Sequence, residues 1–349
     1  MKTKAAILTA LNTPLVIDEI DVPKLECGQV LVEVHCSGIC GAQLGEIAGV
    51  KGEDKYLPHL MGHEGGAIVL ETDPGVTVVR KGDRVVMHWR KGAGIQAMPA
   101  SYKWNGRTVN AGWVTTFNEY AVVSENRLTT IPKDVDFEIA ALMGCAVTTA
   151  LGLINNDAEV KIGQSVAVLG CGGVGLNVVQ GAAMVSADPI IAIDIYDQKL
   201  ELARKFGATH LINSAQTNLR EEIRKIVGSN GVDVLVENTG LVRLIEQAYE
   251  LTGKTGRTIL VGVPPHDQDI TIHSLPLHFG KVLKGCEGGH TNPTIDIPRY
   301  LSLYRNGKLK LDGLVTHRFE FDQINEALDA VRGGEAGRCV LHMRSPANT

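Results

Sequence analysis

Apolar residues alternate with polar ones through the first third of the chain and gather into unbroken runs in the middle, which divides the sequence into two kinds of β structure. Residues 15–20 (LVIDEI) and 30–36 (VLVEVHC) alternate on either side of a Pro/Gly turn at 22–29. Residues 84–89 and 115–123 resume that pattern, so this part predicts antiparallel strands. Residues 37–41 (SGICG) predict a loop. Residues 90–110 have no helical or strand period and carry Gly92, Gly94, Pro99 and Gly106, which predicts a long loop of the functional or mobile kind. A helical stretch follows at 131–154.

From about Thr149 the period changes to short apolar runs near 166–169, 190–195, 210–212, 232–240 and 257–264, with helical segments between them. Strand and helix in alternation predict a doubly wound parallel sheet with right-handed crossovers. The remaining chain adds helices at 297–306 and 321–332 and a strand at 338–342.

Chemistry enters at the turn after the first buried run, SVAVLGCGGVGL. Gly170, Gly172 and Gly175 stand there in the spacing G-x-G-x-x-G, with Gly173 and Val174 between them. Such a turn lets the backbone approach a pyrophosphate, whose charge rests on the unpaired N–H groups opening the next helix. Asp194 ends the following strand at about the 20-residue distance where a carboxylate meets the adenosine ribose. An acid there accepts hydrogen bonds from both ribose hydroxyls and repels a 2′-phosphate, so NAD(H) is expected rather than NADP(H).

Composition narrows the partners. A chain of 349 residues is longer than one core usually supports, which predicts two domains. Hydrophobic content of 44% and charged content of 21% describe an ordinary soluble protein, and a net charge of −5 without a basic run argues against nucleic acid or an anionic membrane. The first residues read as a strand rather than a leader, because polar Asn12 and acidic Asp18 follow a short apolar run. Seven scattered cysteines, an odd number, fit a reducing compartment, the cytoplasm, and no disulfide framework.

Cys40, His63, Glu64 and Cys145 are of the types that bind a soft divalent cation, although they lie far apart in sequence. Read together, SGICG, GHE, MGCAVTTALG, VLGCGGVGL, VGVPP and FDQINEALDAVRGGEAGRCVL resemble the zinc-dependent alcohol dehydrogenases of the medium-chain dehydrogenase/reductase superfamily. The match is closest to the branch of liver-type and glutathione-dependent formaldehyde dehydrogenases, and it covers nearly the whole chain in order. The resemblance implies an α/β fold: a GroES-like β-rich catalytic domain, residues 1–148 and 286–349, and a Rossmann domain, residues 149–285, with the active site between them. It implies that Cys40, His63 and Cys145 are the catalytic zinc ligands, with Glu64 a nearby carboxylate able to enter the metal shell. It places Asp194 and Lys199 at the adenosine ribose, and Arg338 at the pyrophosphate. Val261 and Val263 fall by the nicotinamide, and Thr149 by its carboxamide end. Ala42 and Trp89 fall on the substrate pocket. The implied reaction is hydride transfer between NAD(H) and an alcohol or aldehyde, and the implied assembly is a homodimer or, next, a tetramer, formed by extending the Rossmann sheet across the apolar strand 257–263 (RTILVGV), which is expected at its edge.

The departures from the family pattern set further expectations. Residues 90–144 contain no cysteine, so a structural zinc site common in the family is expected to be absent, leaving one zinc per subunit. Ala42 and Gly45 stand where the family carries its hydroxyl and imidazole proton relay, and Gln43 replaces an aspartate that orients the ligand histidine. His88, beside Trp89, either faces the cleft and moves protons or is a structural histidine. A bulky polyol, a sugar alcohol or its aldehyde is the expected substrate. Two other readings stand beside it: a zinc-free reductase of the same superfamily acting on an activated double bond, and an NAD-binding protein without turnover.

Overall fold

The computed structural model describes residues 1–334 and 336–343. Among them, six parallel strands form one sheet in the spatial order His210–Asn213, Ile190–Asp194, Val166–Leu169, Val232–Glu237, Thr252–Leu260 and Val282–Gly285. Numbered along the chain this order is 3-2-1-4-5-6, so the strand sequence reverses beside Val166–Leu169. Parallel sheets of this kind bind ligands at such a reversal, outside the carboxyl ends of the strands. All four residues of Val166–Leu169 are buried, as expected for a strand covered by helices on both faces.

The remaining strands make two antiparallel-rich assemblies. Lys2–Leu8, Val16–Asp21, Ser101–Trp104, Arg107–Asn110 and His59–Leu60 close into a small barrel. A second sheet runs Leu128–Thr130, Arg84–His88, Glu64–Thr72, Gln29–Ile39, Cys339–His342 and His317–Glu320, with Tyr120–Ser124 also paired to Gln29–Ile39. Val30, Val32 and Val34 point into one apolar cluster with Ala67, Val69 and Met87, which is the buried half of the alternation seen in sequence.

Three expectations change. Residues 37–41 are not a loop: the strand Gln29–Ile39 runs through them and the helix Gly41–Ile47 starts directly after Cys40. Residues 90–110 are not one long loop either. Ser101–Trp104 and Arg107–Asn110 form a hairpin around Asn105 and Gly106, both at positive φ (49° and 78°). Asn-Gly is the turn pair such two-residue hairpins favour. The hairpin closes the barrel through Asp21 and Lys103 on one side and His59 and Asn110 on the other. Finally, the apolar strand through residues 257–263 is not the edge of the parallel sheet, because Val282–Gly285 covers it and is the edge itself.

The segment before the hairpin is clasped by a carboxylate. Glu125 is fully buried and accepts N–H bonds from Thr77 (2.6 Å), Val78 (2.7 Å) and Ile95 (2.7 Å), which ties two loops to one side chain. Gly94, at φ 101°, is the close approach this needs: a Cβ there would lie 2.7 Å from the Glu125 carboxyl carbon. No single helix among the described residues is long and apolar enough to cross a membrane.

Candidate active site

Each of the three soft donors sits at a break between elements. Cys40 lies between a strand and the helix Gly41–Ile47, His63 lies just before the strand Glu64–Thr72, and Cys145 occupies the break between the helices Phe137–Met143 and Ala146–Gly152. Their ligand atoms all fall within 4.8 Å of one another. Two sulfurs and an imidazole form a donor set suited to zinc. Glu64 is wholly buried beside them, and its Oε2 has no hydrogen-bond partner, so one carboxylate oxygen remains unengaged next to the trio. Hydrogen bonding with Cys145 holds the Cys40 thiol well below its usual range, and contact with Cys40 together with burial pushes Cys145 up.

Gln43 explains how the ligands are aligned without an aspartate. It is fully buried, its Oε1 accepts the Cys40 N–H at 2.8 Å, and its amide nitrogen contacts Nδ1 of His63, so one side chain fixes both ligands. Behind Glu64 stands Arg338, whose Nη2 pairs with the Glu64 carboxylate in a site where neither side chain is more than 5% exposed. Burial pushes the Glu64 carboxyl up and Arg338 offsets only part of that. The Arg338 guanidinium is itself held above its ordinary value, because Glu64 and the two cysteines outweigh the cost of burying it.

A cavity of about 520 Å³ runs from this point along the end of the parallel sheet. Cys40, Ala42, Gly170, Gly172–Gly175, Asp194, Lys199, Val261, Val263 and Arg338 all line it. The glycines fit three separate demands of a dinucleotide turn. Gly170 adopts φ 92°, a Cβ on Gly172 would meet no protein atom within 4 Å and would project into the cradle, and a Cβ on Gly175 would lie 2.0 Å from the Gly170 carbonyl. Asp194 accepts N–H bonds from Cys171 (2.8 Å), Ile195 (2.8 Å) and Tyr196 (3.1 Å), which fixes its carboxylate at the cavity wall with lone pairs to spare. Thr149 is buried and its Oγ1 is unpartnered. Trp89 lies outside the cavity lining and packs with Arg90 against Gly288.

Two models of known families match the chain. One describes the zinc-binding dehydrogenases and matches residues 173–304; the other describes the alcohol dehydrogenase GroES-like domain and matches residues 26–133. An S-(hydroxymethyl)glutathione dehydrogenase of Paracoccus denitrificans is 31% identical over 374 residues, spanning 98% of this chain and 100% of the relative. This chain belongs to the zinc-dependent alcohol dehydrogenases. Its fold agrees with solved members: benzyl alcohol dehydrogenase of Acinetobacter calcoaceticus superposes with a TM-score of 0.88 at 27% identity, over 99% of this chain and all of that one. A 2R,3R-butanediol dehydrogenase of Bacillus subtilis gives 0.78 at 27% identity, over 98% of this chain and all of that one. This chain is thus a zinc-dependent, NAD-linked oxidoreductase of alcohols and aldehydes, the first of the three readings.

His88 is corrected from a possible proton carrier to a structural residue. It is 1% exposed, its Nδ1 donates to the Arg90 carbonyl at 2.8 Å, its Nε2 accepts from Thr129 Oγ1 at 2.9 Å, and it does not line the cavity. Burial lowers its pKa from 6.5 to about 4. The unfolded chain therefore takes up this proton first, so the native state loses stability as the pH falls from 6.5 toward 4, by about 3 kcal/mol in all. Urea denaturation midpoints measured at pH 7 and pH 4.5 should differ less in a His88→Gln variant than in the wild type; equal slopes would contradict the assignment. His59 is likewise held in place, by Asp54 at 2.8 Å and the Leu60 carbonyl at 2.9 Å.

Sequence reasoning passed over Glu46, which also lines the cavity. Its spacing was the available signal, since Ala42 and Glu46 stand four apart on the helix Gly41–Ile47 and so share a face.

Proposed function

We propose that Cys40, His63 and Cys145 hold one zinc ion per subunit with Glu64 behind it, that no structural zinc is present, and that the substrate is a bulky polyhydroxylated alcohol or its aldehyde. The observation that carries this reading is the meeting of the donor trio and the dinucleotide groove in one cleft, with Ala42 at the junction. Zinc, when bound, supplies Lewis-acid polarisation of the substrate oxygen. The chain's own residues do the rest. Asp194 and Lys199 hold the adenosine ribose, and the N–H groups of Gly173 and Val174 receive the pyrophosphate at the opening of the helix Gly173–Met184. Arg338 adds a cation between that turn and Glu64. Val261 and Val263 flank the nicotinamide, and the Thr149 hydroxyl is free for its carboxamide.

Neither Ala42 nor Gly45 can carry a proton, and both line the cleft. A polyol brings a second hydroxyl beside the reacting one, and the methyl of Ala42 leaves it room. The test is a scan of kcat/KM for ethanol, benzyl alcohol, S-(hydroxymethyl)glutathione, glycerol and sorbitol with NAD and with NADP. Polyols should exceed ethanol, and Ala42→Ser should move the ranking toward small primary alcohols. NAD should exceed NADP, and Asp194→Ala should narrow that gap. If ethanol or S-(hydroxymethyl)glutathione outperforms every polyol and Ala42→Ser leaves the order unchanged, the substrate reading is wrong.

The division into residues 1–148 with 286–349 and residues 149–285 belongs to the same reading; Glu335 and residues 344–349 lie outside the described residues. The free cysteines fit a reducing cytoplasm. For assembly we propose a homodimer, with a tetramer next. The sheet edge Val282–Gly285 is accompanied by exposed Leu275 (55%) and Phe279 (72%), an apolar edge that pairing would cover. Sedimentation at micromolar concentration should give a dimer or tetramer, and a monomer would refute both.

A further inference from the structure

Oxidation of an alcohol gives up a hydroxyl proton, and Ala42 and Gly45 offer it neither hydroxyl nor imidazole. One turn further along the helix Gly41–Ile47, on the face of Ala42, stands Glu46. Its Cβ is about 5–6 Å from that of Ala42, a spacing that brings the carboxylate within reach of the space where the donor trio meets the dinucleotide groove, directly or across one water. Both residues line that cavity together with Cys40. The Glu46 side chain is 43% exposed, yet the cleft walls shut out enough water for burial to raise its carboxyl above the ordinary range. His59, His63 and Lys51 offset part of that rise and Asp54 adds to it; these are the charged groups that bear on Glu46. A carboxyl moved in this direction is a stronger base near neutral pH than an ordinary surface glutamate.

Beyond Glu46 lies His59, 7% exposed, with its Nε2 4.0 Å from Glu46 Oε1 and 2.8 Å from Asp54 Oδ2. Its Nδ1 donates to the Leu60 carbonyl at 2.9 Å, because a carbonyl only accepts. Nε2 is therefore the atom left to take up and release a proton, and a carboxylate flanks it on either side. Asp54 belongs to a surface segment between exposed Glu53 and Lys55, and its Oδ1 accepts the Tyr56 N–H at 2.9 Å. One imidazole thus links a carboxylate in the cleft to a carboxylate at the surface. We propose that Glu46, His59 and Asp54 carry the substrate's proton between the cleft and solvent. In oxidation the C–H bond breaks with its electron pair going to NAD, the carbonyl forms, and the hydroxyl proton passes to the Glu46 carboxylate. His59 Nε2 hands its own proton to Asp54, which releases it to water, and then takes the one held by Glu46; reduction runs the same steps backward. The route rests on alcohol oxidation and not on the choice of substrate, so it stands apart from the polyol reading.

The test follows proton release from the zinc-loaded enzyme mixed with NAD and trifluoroethanol, an alcohol acidic enough to lose its hydroxyl proton and too poor a hydride donor to react. Phenol red in a stopped-flow instrument should report a fast release by the wild type. Glu46→Gln should slow that phase about tenfold or more, and Glu46→Asp should recover much of the speed. Asp54→Asn and His59→Gln should each slow it several-fold, which keeps the test open if the first variant does not fold. Zinc content and NADH affinity should match the wild type in every variant, as a merely structural loss would not allow. For whichever of ethanol, benzyl alcohol, glycerol and sorbitol reacts, kcat of Glu46→Gln should fall about 10²-fold at pH 7, and the gap should close toward about pH 10, where hydroxide takes the proton instead. Ethanol outperforming every polyol while Glu46→Gln still slows proton release would refute the substrate reading and support the route. No release by the wild type, or a release rate and pH profile that Glu46→Gln leaves unmoved, overturns the route, whatever the enzyme oxidises.

Discussion

A Cys145→Ser enzyme is expected to leave purification with less than about a tenth of the wild-type zinc and to oxidise alcohols about 10³-fold more slowly, a loss equivalent to the several kcal/mol that a Lewis acid supplies. Cys145 is 7% exposed at a break between two buried helices, and the spare donor beside it, Glu64 Oε2, is a hard oxygen on a carboxylate already paired with Arg338. Serine offers a neutral, hard oxygen in its place, which reduces the donor set to Cys40 and His63. Metal analysis should give one zinc per wild-type subunit, because the described residues hold one such donor group. NADH absorbance gives the rate, and far-ultraviolet circular dichroism should show an unchanged fold. Full metal retention with full activity in the variant would refute the site, and two tightly held ions in the wild type would refute its being single.

Much of this centre was legible in the chain because its parts are local. The buried run 166–169, the glycines after it and Asp194 declare a dinucleotide turn through period and spacing alone. Cys40, His63 and Cys145 are separated by up to 105 positions, and nothing in their spacing joins them; resemblance to a family supplied the connection and the fold brings the three ligand atoms within 4.8 Å. The hairpin Ser101–Trp104 and Arg107–Asn110 was overlooked although Asn105–Gly106 announced it, because four-residue strands between glycine- and proline-rich stretches carry too little alternation to register. His88 was ambiguous for a different reason. A residue at a strand end can turn either way, and its bonds to Thr129 and the Arg90 carbonyl are tertiary facts. The true sheet edge, VLKG at 282–285, was hidden by the longer and more apolar strand beside it.

Arg338→Met is the second variant with a large expected effect. It leaves the Glu64 carboxylate buried without its cation, a change that costs about 3–5 kcal/mol where such pairs have been broken elsewhere. Urea denaturation should show the loss. Fluorescence titration should show weaker NADH binding too, since Arg338 lines the groove and a Cβ on Gly173, in the glycine turn, would lie 3.0 Å from its Cδ. Adding Glu64→Gln removes the stranded charge, so the double variant should recover much of the stability and none of the cofactor affinity. If the single variant is as stable as the wild type, the pair contributes nothing to the fold; if the double variant regains NADH affinity, Arg338 does not serve the cofactor.

The Glu125 clasp bears on how this enzyme ages. Where a cluster of thiolates pins a loop, peroxide or a competing chelator can strip the pin and leave the loop loose. Here three main-chain N–H groups converge on one carboxylate that neither oxidises nor exchanges, and the hairpin beyond it is sewn into a barrel by its own backbone. Peroxide and chelators thus meet no sulfur and no metal at this clasp, whereas the donor trio offers them two cysteine sulfurs.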